Sequence, residues 1–423
     1  MPSISQRGII MPSSPIRKLV PYAEAAKARG LHVYHLNIGQ PDILTPDVAL
    51  SAVKNAKIPI VEYSHSAGMP EYRRKLSKYY QSVGIDISPD QMLVTCGGSE
   101  AVLFAFMSCL DPLDEIIVPE PFYANYEAFA AQAGACVVPI TSTIEDGFTL
   151  PSIEEFEKVM THKTKAIMIC NPNNPTGYLY SEQEMLQLRQ LIKKHDLFLI
   201  CDEVYREFCY DGAPYFSSMY LKDVEQNVIM VDSVSKRYSE CGLRIGLLAS
   251  RNKDVIASAM KMAQARLCPP TFGQIAAMAS LDVPEEYFQA MNKEYCMRRN
   301  FLLDGLNKIP GVYSPMPRGA FYTVAKLPID DSEKFCRWLL ADFSYNNQTV
   351  MLAPASGFYS NRTLGKDEVR IAYCLNCDDL AVALDLLARA LRQYPGRTPE
   401  AGAPLTEMER RLREQAKVQV QQQ

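Results

Sequence analysis

The sequence predicts an α/β protein that has a mostly parallel central sheet with helices on both faces, followed by a smaller α+β domain. Two patterns support this prediction. From residue 90 onward, short apolar strands alternate with helical segments, which is typical of a parallel sheet. A long helical segment, 285–309, then leads into a remainder that is rich in strands. The length of 423 residues also exceeds one ordinary core, so two structural domains are expected.

We expect the chain to divide into four parts. Residues 1–47 form an N-terminal arm and part of the small domain, and residues 48–309 form the large domain. Residues 310–395 form the small C-terminal domain. The last part, 396–423, begins with Pro and Gly and becomes charged and Gln-rich, so we expect a linker followed by a helical or disordered tail.

Composition restricts the partners of the protein. The net charge is −4 and the pI is near 5.9, so no basic field is available to bind nucleic acid. The 12 cysteines are scattered, and the Cys-x-x-Cys at 374–377 has no second pair that would complete a zinc site. We therefore expect reduced thiols, no metal and a cytoplasmic location. The first 21 residues do not resemble a signal peptide, and no stretch is long enough to span a membrane.

Two loops before the alternating region contain the first candidate contacts. A short strand enters the turn 37–42, where Gly39 can bring the backbone close to another group, although a plain turn is the commoner outcome. Tyr63 begins the loop 63–71, from which its side chain could reach a neighbouring site. A tyrosine on the surface is the alternative interpretation of that position.

The first strand of the alternating region leads into a candidate anion site. Strand 92–95 is followed by Gly97, Gly98 and Ser99, and then by an apolar helix. The first amides of a helix have no internal partners, and the helix dipole favours negative charge there. The glycines do not form the dinucleotide pattern Gly-x-Gly-x-x-Gly, so a single phosphate suits them better. An ordinary N-cap by Ser99 explains these residues equally well when they are taken alone.

The next strands end in residues that could contact a planar or polar ligand. Strand 115–119 leads to Tyr123, whose ring can lie flat on a planar ligand, although such aromatics are more often core. Strand 165–170 ends in the turn 171–177, which holds Asn174 where it can hydrogen-bond a ligand oxygen. Each position is therefore a candidate contact at the carboxyl end of its strand.

The following buried strand, 197–201, runs directly into an ionisable residue. Asp202 comes first after this strand, and Tyr205 lies three residues further on. A carboxylate at the end of a buried strand is either a cap or a partner for a cation. Both interpretations stay open on these residues alone.

The strand 227–231 leads to a lysine with small hydroxyl residues before it. Ser233 and Lys236 follow the strand, and Arg244 comes eight residues after the lysine. A lysine there is costly to bury without a partner or a reaction, and a desolvated amine can form a Schiff base with an aldehyde. Taken alone, such a lysine is more often a loop residue in solvent.

The remainder of the chain predicts an α+β domain with one arginine on an otherwise apolar strand. We expect strands at 311–316, 320–325, 350–354 and 369–374, and helices at 332–341 and 378–394. Arg370 either forms an ion pair inside this domain or binds a substrate carboxylate, because guanidinium fits carboxylate with two hydrogen bonds.

Together these residues supply what pyridoxal phosphate requires, at the strand ends where open α/β sheets bind ligands. Gly98, Ser99, Ser233 and Arg244 can hold its phosphate. Asp202 can keep its pyridine nitrogen protonated, Tyr205 and Asn174 can reach its phenolic oxygen, and Tyr123 can stack on its ring. Lys236 can bind its aldehyde. The combination outweighs the ordinary interpretation of each residue by itself.

The chain resembles the class I/II aminotransferases, which are fold type I pyridoxal phosphate enzymes, and it is similar to bacterial aspartate aminotransferases. The matching stretches occur in the order of the family and extend over about residues 30–395: 37–42, 63–70, 97–101, 171–177, 202–205, 233–236 with Arg244, 317–322 and 369–371. The resemblance implies a homodimer whose active site lies between the large and small domains. It also implies that Tyr63 touches the cofactor phosphate of the other subunit. Arg237 and Tyr238 depart from the small or aromatic residues common in relatives, and Tyr123 stands where relatives often have tryptophan.

The resemblance implies transfer of an amino group from an L-amino acid to a 2-oxo acid such as 2-oxoglutarate by a ping-pong mechanism. Lys236 would act as anchor and proton shuttle, while Arg370 and the backbone near Gly39 would bind the substrate carboxylate. Aspartate is the favoured donor, because dicarboxylate-selective relatives carry a partner-subunit arginine near the position of Arg266. A surface arginine at a helix end is the alternative for that residue.

Other outcomes stay open at this point. Alanine or aromatic amino acids could be the donors. A β-lyase or an enzyme similar to aminocyclopropane-carboxylate synthase would share the same cofactor residues. A cofactor-sensing domain of a transcription regulator is disfavoured, because only about 30 residues precede the fold. A nicotinamide dehydrogenase is disfavoured by the missing glycine pattern.

Overall fold

The computed structural model describes residues 2–398, and the predicted tail at 406–423 lies outside them. The strands, in chain order, are β1 (His32–His35), β2 (Met92–Thr95), β3 (Glu115–Glu120), β4 (Cys136–Thr141), β5 (Thr164–Cys170), β6 (Phe198–Asp202), β7 (Val228–Ser233), β8 (Gly246–Ser250), β9 (Tyr322–Lys326), β10 (Gln348–Met351), β11 (Ala353–Pro354) and β12 (Glu368–Ala372). The helices are α1 (Gln6–Ile10), α2 (Val20–Ala28), α3 (Asp47–Lys54), α4 (Pro70–Ser82), α5 (Gly98–Cys109), α6 (Asn125–Ala133), α7 (Ile153–Val159), α8 (Glu182–His195), α9 (Val234–Arg237), α10 (Lys253–Arg266), α11 (Thr271–Ser280), α12 (Glu285–Leu306), α13 (Ser332–Ala341) and α14 (Cys377–Gln393).

The large sheet has seven strands in the order β2-β8-β7-β6-β5-β3-β4. The neighbours β4, β3, β5, β6 and β7 pair in parallel, whereas β8 runs antiparallel to both β7 and β2. The helices α6, α7 and α8 lie in the connections from β3 to β4, β4 to β5 and β5 to β6, whereas the connection from β6 to β7 holds only a short 3-10 helix, Ser218–Tyr220. The predicted fold class, a mostly parallel sheet with a smaller additional domain, is therefore confirmed.

The strands of this sheet are apolar on both faces because both faces are covered. In β7, Ile229 and Val231 point into one hydrophobic cluster, and Val228 and Met230 point into the other. Successive side chains of a strand alternate between faces, so an unbroken apolar run fills both cores. This burial explains why the polar residues of the sheet collect at its ends.

The small domain is built from two further groups of strands. β11, β12 and β9 form an antiparallel sheet, and β1 pairs in parallel with β10, which ties residues 32–35 to residues 348–351. The predicted strand at 311–316 is wrong: this stretch makes only an isolated bridge between Tyr313 and Lys326. Pro310 and Pro317 flank it and Pro315 lies within it, and proline cannot donate to a strand ladder. The division at residues 47, 309 and 395 stays a prediction.

Other structural findings concern membranes, metals and thiols. None of the helices within residues 2–398 is long and apolar enough to cross a membrane. Over the same residues, no group of three or more His, Cys, Asp and Glu side chains is arranged to hold a metal ion. The 12 cysteines are free.

Candidate active site

Polar side chains from several strands meet at the carboxyl edge of the central sheet. Asp202 is the last residue of β6 and Ser233 is the last residue of β7, and these two strands are hydrogen-bonded neighbours. Asn174 follows β5, which pairs with β6 on the other side. Ligands of open α/β sheets bind at this edge. Neighbouring strands therefore bring the predicted residues into one region.

Lys236 lies on the short helix α9, which begins directly after β7. The Ser233 hydroxyl caps this helix, since its Oγ accepts a hydrogen bond from the Ser235 amide at 3.1 Å. The Lys236 side chain is half-buried, and its Nζ donates to the Gly39 carbonyl oxygen at 2.6 Å. The lysine is therefore not a loop residue in solvent. It contacts the turn at Gly39, which is 197 residues earlier in the chain.

Asp202 is a buried carboxyl group without a cationic partner among residues 2–398. Tyr126 donates its hydroxyl to Oδ2 at 2.8 Å, and the Val204 amide donates to Oδ1 at 3.2 Å. Burial raises the pKa of Asp202 to about 6, and these two hydrogen bonds only partly offset that rise. A cation beside Oδ1 or Oδ2 would return the carboxyl to its charged form, so the site favours a positively charged ligand atom.

The loop between β2 and α5 forms a cradle of backbone amides. Gly97 occupies the N-cap position at φ +81°, so Ser99 lies inside the first turn, and the alternative interpretation of Ser99 as an ordinary N-cap does not hold. A Cβ at Gly97 would come within 2.2 Å of Arg244 Nη2, which shows how closely the guanidinium approaches the loop. Helix amides and an arginine together suit a phosphate.

Arg370 is buried on β12 and has no carboxylate partner among residues 2–398. Its Nη1 donates to Asn174 Oδ1 at 3.1 Å, and its Nη2 donates to the Asn37 carbonyl oxygen at 2.5 Å. The buried Nε atom has no hydrogen-bond partner there. The guanidinium lies over the rings of Tyr322 and Phe358, at 4.7 and 4.8 Å from their centroids. A buried, unneutralised guanidinium is suited to an anionic ligand, and the internal ion pair considered as an alternative is absent among these residues.

Three tyrosines complete the site: Tyr126, Tyr205 and Tyr322. Of these, only Tyr205 was predicted from the sequence to contact the ligand. The Tyr205 and Tyr322 hydroxyls are 2.8 Å apart, and Asn174 Nδ2 lies 3.5 Å from the Tyr205 hydroxyl. Tyr322 lies in the stretch 317–322, which matches the family, so that match could have identified it from the sequence. Tyr126, which donates to Asp202, lies inside a helix and in no matching stretch, so the sequence does not distinguish it from a core tyrosine.

Tyr123 lies within electrostatic reach of Asp202 and Arg370, whereas Tyr63 and Arg266 have other surroundings. Tyr123 is half-buried, its ring stands edge-on to Tyr126 at 5.4 Å, and its hydroxyl accepts a hydrogen bond from Asn125. Tyr63 is 78% exposed. Arg266 lies with its Nε 3.3 Å from Glu100 Oε1. Its Nη2 donates to the carbonyl oxygens of Ser66, in the loop before α4, and of Val94 in β2. Arg266 and Arg370 share no partner.

The residues fit pyridoxal phosphate. The amide cradle at Gly97 and Gly98 with Arg244 suits the phosphate, and the buried Asp202 suits a protonated ring nitrogen. Lys236 offers an amine between these two features, and the unpartnered Nε of Arg370 marks a place for an anionic group.

Comparisons with known proteins show the family of the chain. The model of the family described as aminotransferase class I and II matches residues 32–387. An aspartate aminotransferase of Thermotoga maritima is 34% identical, over 90% of this chain and 97% of its own length. A probable aspartate/prephenate aminotransferase of Thermus aquaticus is 31% identical, over 93% of this chain and 100% of its own length.

Solved structures give the same result. The aspartate aminotransferase of Thermus thermophilus with maleate superimposes with a TM-score of 0.83 at 29% identity, covering 92% of this chain and 100% of that one. The alanine aminotransferase of Pyrococcus furiosus has a TM-score of 0.84 at 30% identity, covering 92% and 99%.

Proposed function

We propose that this chain, which belongs to the class I and II aminotransferase family and is a pyridoxal-phosphate-dependent transaminase, transfers the amino group of aspartate to a 2-oxo acid such as 2-oxoglutarate. The family membership, the enzyme class and the cofactor predicted from the sequence are confirmed. The choice of donor is the proposal, because the relatives include aspartate, aspartate/prephenate and alanine aminotransferases.

One observation carries the site assignment. The turn after β1 bonds both candidate groups: the Asn37 carbonyl accepts from Arg370, and the Gly39 carbonyl accepts from Lys236. An amino acid bound by its α-carboxylate at Arg370 therefore has its Cα close to the lysine amine. This is the arrangement that proton transfer at Cα requires.

Each residue has a defined task in the proposed mechanism. When bound, pyridoxal phosphate supplies an electron sink for the pair released at Cα. Asp202 holds a proton on the ring nitrogen, because a buried carboxylate is stabilised by a cation beside it. Arg370 orients the substrate with two hydrogen bonds to its α-carboxylate.

Lys236 moves the proton. Its amine would act as the general base that takes the proton from Cα and as the acid that gives it back. When the cofactor is bound, Tyr205 and Asn174 would hydrogen-bond its phenolic oxygen, Gly98, Ser99, Ser233 and Arg244 would hold its phosphate, and Tyr123 would stack on its ring. The second substrate uses the same residues in reverse order, which gives ping-pong kinetics.

Arg266 is proposed to bind the side-chain carboxylate of aspartate. Its Nη1 is buried and has no hydrogen-bond partner among residues 2–398, so the guanidinium can take another acceptor. Glu100 competes for the same group at 3.3 Å. In the proposed homodimer, Arg266 binds the side-chain carboxylate of the aspartate that lies in the other subunit's site.

A panel of amino donors with 2-oxoglutarate tests the proposed function. We expect the highest kcat/KM with aspartate, compared with alanine, phenylalanine and leucine. In the Arg266→Ala variant, kcat/KM for aspartate should fall by about tenfold or more, while that for alanine stays near the wild-type value. An unchanged aspartate preference in this variant would remove Arg266 from the proposal. Release of pyruvate and ammonia without any 2-oxo acid would instead identify a lyase.

A further inference from the structure

Four charged side chains form a closed ring beneath the candidate active site. Arg237 Nη2 lies 2.5 Å from Asp232 Oδ2, and Arg237 Nε lies 2.8 Å from Glu207 Oε1. Arg206 Nη2 closes the ring, at 3.1 Å from Asp232 Oδ2 and 3.2 Å from Glu207 Oε1. Positive and negative charges alternate around this four-charge ring, which consists of Arg206, Glu207, Asp232 and Arg237.

The four-charge ring is buried, which makes a stabilising role alone a poor explanation for it. The exposed fractions of its side chains are 5% for Arg206, 11% for Glu207, and 1% each for Asp232 and Arg237. Desolvating charges offsets most of what their attraction contributes, so buried ion clusters add little to net stability. Such clusters are best attested as devices that specify one arrangement of the chain.

Aromatic and polar groups enclose the ring on several sides. From α4, Tyr80 donates to Asp232 Oδ2 at 2.6 Å, and Tyr79 donates to Glu207. The Arg237 guanidinium lies 4.8 Å from the centroid of the Tyr79 ring. Glu203 approaches Arg206 Nη1 at 3.8 Å, and Tyr238 flanks Arg237. The ring is therefore fixed against α4 and cannot shift as a loose surface cluster would.

The position of the ring along the chain connects it to the site. Arg206 directly follows Tyr205, and Arg237 directly follows Lys236. Asp232 also accepts the Ser233 amide at 2.7 Å through its other oxygen, so it holds the end of β7 as well. One ring thus links the segment that carries the tyrosine to the segment that carries the lysine.

We propose that the four-charge ring sets the distance between the Tyr205 hydroxyl and the Lys236 amine, with Arg206 and Arg237 as positioning residues. This inference rests on the proposed function, in which both side chains face the cofactor. Arg237 is the member of the ring that directly follows Lys236. Its guanidinium fork can reach Asp232 and Glu207 together, which a small residue cannot.

The absorbance of the lysine-bound cofactor, followed against pH in the holoenzyme, reports this distance. The group that titrates is the nitrogen that joins Lys236 to the cofactor, and its proton is hydrogen-bonded to the cofactor's phenolic oxygen. The Tyr205 hydroxyl donates to the same oxygen and so weakens that hydrogen bond. Moving Tyr205 away strengthens it, so the nitrogen keeps its proton to a higher pH and the titration midpoint rises. We expect the midpoint to rise by about one pH unit in Tyr205→Phe and by a comparable amount in Arg237→Gln and Glu207→Gln.

A double-mutant cycle separates positioning from general destabilisation. If the ring acts through Tyr205, adding Tyr205→Phe to Arg237→Gln should raise the midpoint by less than half of its effect in the wild type. Arg237→Lys keeps the positive charge but loses the planar guanidinium that reaches both carboxylates. It replaces Arg237→Gln in the experiment if that variant does not fold. We expect it to raise the titration midpoint by a smaller amount. The matched control is Arg299→Gln. Arg299 is another buried arginine, which lies on α12 and pairs with Asp211 at 2.8 Å. This variant should lower thermal stability and leave the midpoint unchanged.

Two results would overturn the inference. One is a set of ring variants that unfold at lower temperature but titrate like the wild type. The other is a full additive effect of Tyr205→Phe in the Arg237→Gln background. Failure of the proposed function has a different signature, because the donor panel would then show no preference for aspartate while the titration midpoints of the ring variants still rise.

Discussion

At the residue scale, the chemistry of this protein depends on charges that the fold buries without neutralising. Asp202 and Arg370 both lack an oppositely charged partner among residues 2–398. Each is held by neutral hydrogen-bond partners, which orient the group and leave its charge available. A bound amino acid and cofactor offer the complementary carboxylate and cation, so binding relieves the cost of burying both residues.

Replacing Lys236 by alanine should abolish turnover. The variant loses the amine that moves the proton at Cα, so we expect the transamination rate to fall by at least a thousandfold. The absorbance of the lysine-bound cofactor should disappear at the same time. Lys163→Ala, which removes an exposed lysine far along the chain, is the matched control and should behave as the wild type. Full activity in Lys236→Ala would refute the site assignment.

A second buried carboxyl, Glu240, makes stability depend on pH. The side chain is 2% exposed, accepts a hydrogen bond from Ser280, and leaves Oε2 without a partner among residues 2–398. Burial raises the pKa of Glu240 to about 7. The folded protein therefore holds this proton more tightly than the unfolded chain, and the associated stability is complete below pH ~4.5 and lost as the pH rises to about 7.

Glu240→Gln should remove this dependence. Glutamine stays neutral and keeps the acceptor oxygen for Ser280, so the variant should match the wild type near pH 4.5. Above pH 7 it should exceed the wild type in unfolding free energy by roughly 2–3 kcal/mol. Urea unfolding at several pH values measures the difference. A constant difference across this range would contradict the prediction, because it would show that the pKa of Glu240 is the same in the folded and unfolded protein.

At the element scale, the phosphate cradle depends on how closely β8 approaches the loop before α5. Gly246 begins β8 and pairs with Thr95 at the end of β2. A Cβ at Gly246 would lie 2.3 Å from the Gly97 carbonyl carbon and 2.5 Å from the Gly98 nitrogen. Those atoms are backbone, so a side chain at 246 has to displace the cradle itself.

Gly246→Ala should therefore weaken cofactor binding more than it weakens the fold. We expect the dissociation constant for pyridoxal phosphate to rise by about tenfold, since a shift in the cradle misaligns several amide donors at once. Equilibrium dialysis or fluorescence titration of the cofactor measures this change. Gly242→Ala is the matched control, because a Cβ there meets nothing within 4 Å. Equal affinities in the two variants would contradict the prediction.

At the scale of the whole molecule, the segment 38–63 holds several large apolar side chains that are exposed. They include Leu44 at 85%, Ile60 at 69% and Tyr63 at 78% exposure. Exposed apolar side chains concentrated in one segment are typical of an interface between proteins. This supports the homodimer that the resemblance implies, in which Tyr63 serves the cofactor phosphate of the other subunit.

Hybrid dimers provide a direct measurement of that shared site. Tyr63→Ala should lose most cofactor affinity, and Lys236→Ala should lose turnover. When the two inactive variants are mixed and allowed to exchange subunits, some dimers contain one site with both residues intact. We expect activity to recover to about a quarter of the wild-type value at equal mixing, following the random pairing of subunits. Mixtures that stay inactive, despite exchange shown by mass spectrometry, would place Tyr63 in its own subunit's site.

Much of the fold and the centre of the site could be predicted because they depend on local patterns. Apolar runs such as 197–201 identified buried strands, and the polar residues just beyond them had to lie at one edge of the sheet. The prediction of a strand at 311–316 was wrong. Its apolar residues suggested a strand, but prolines within and beside the stretch cannot donate the hydrogen bonds that a strand requires. Ser99 was offered as a cap because its residue type suits one, although Gly97 takes that position.

The order of elements, the family and the cofactor could be predicted from the sequence, since each depends on residue types at short spacings. The pairing of charges became known from the folded structure alone. The four-charge ring, the contact of Tyr322 with Tyr205, and the contact of Arg266 with Glu100 all join residues distant in the chain. Charge pairing acts through distance in space, and no periodicity of the sequence encodes that distance.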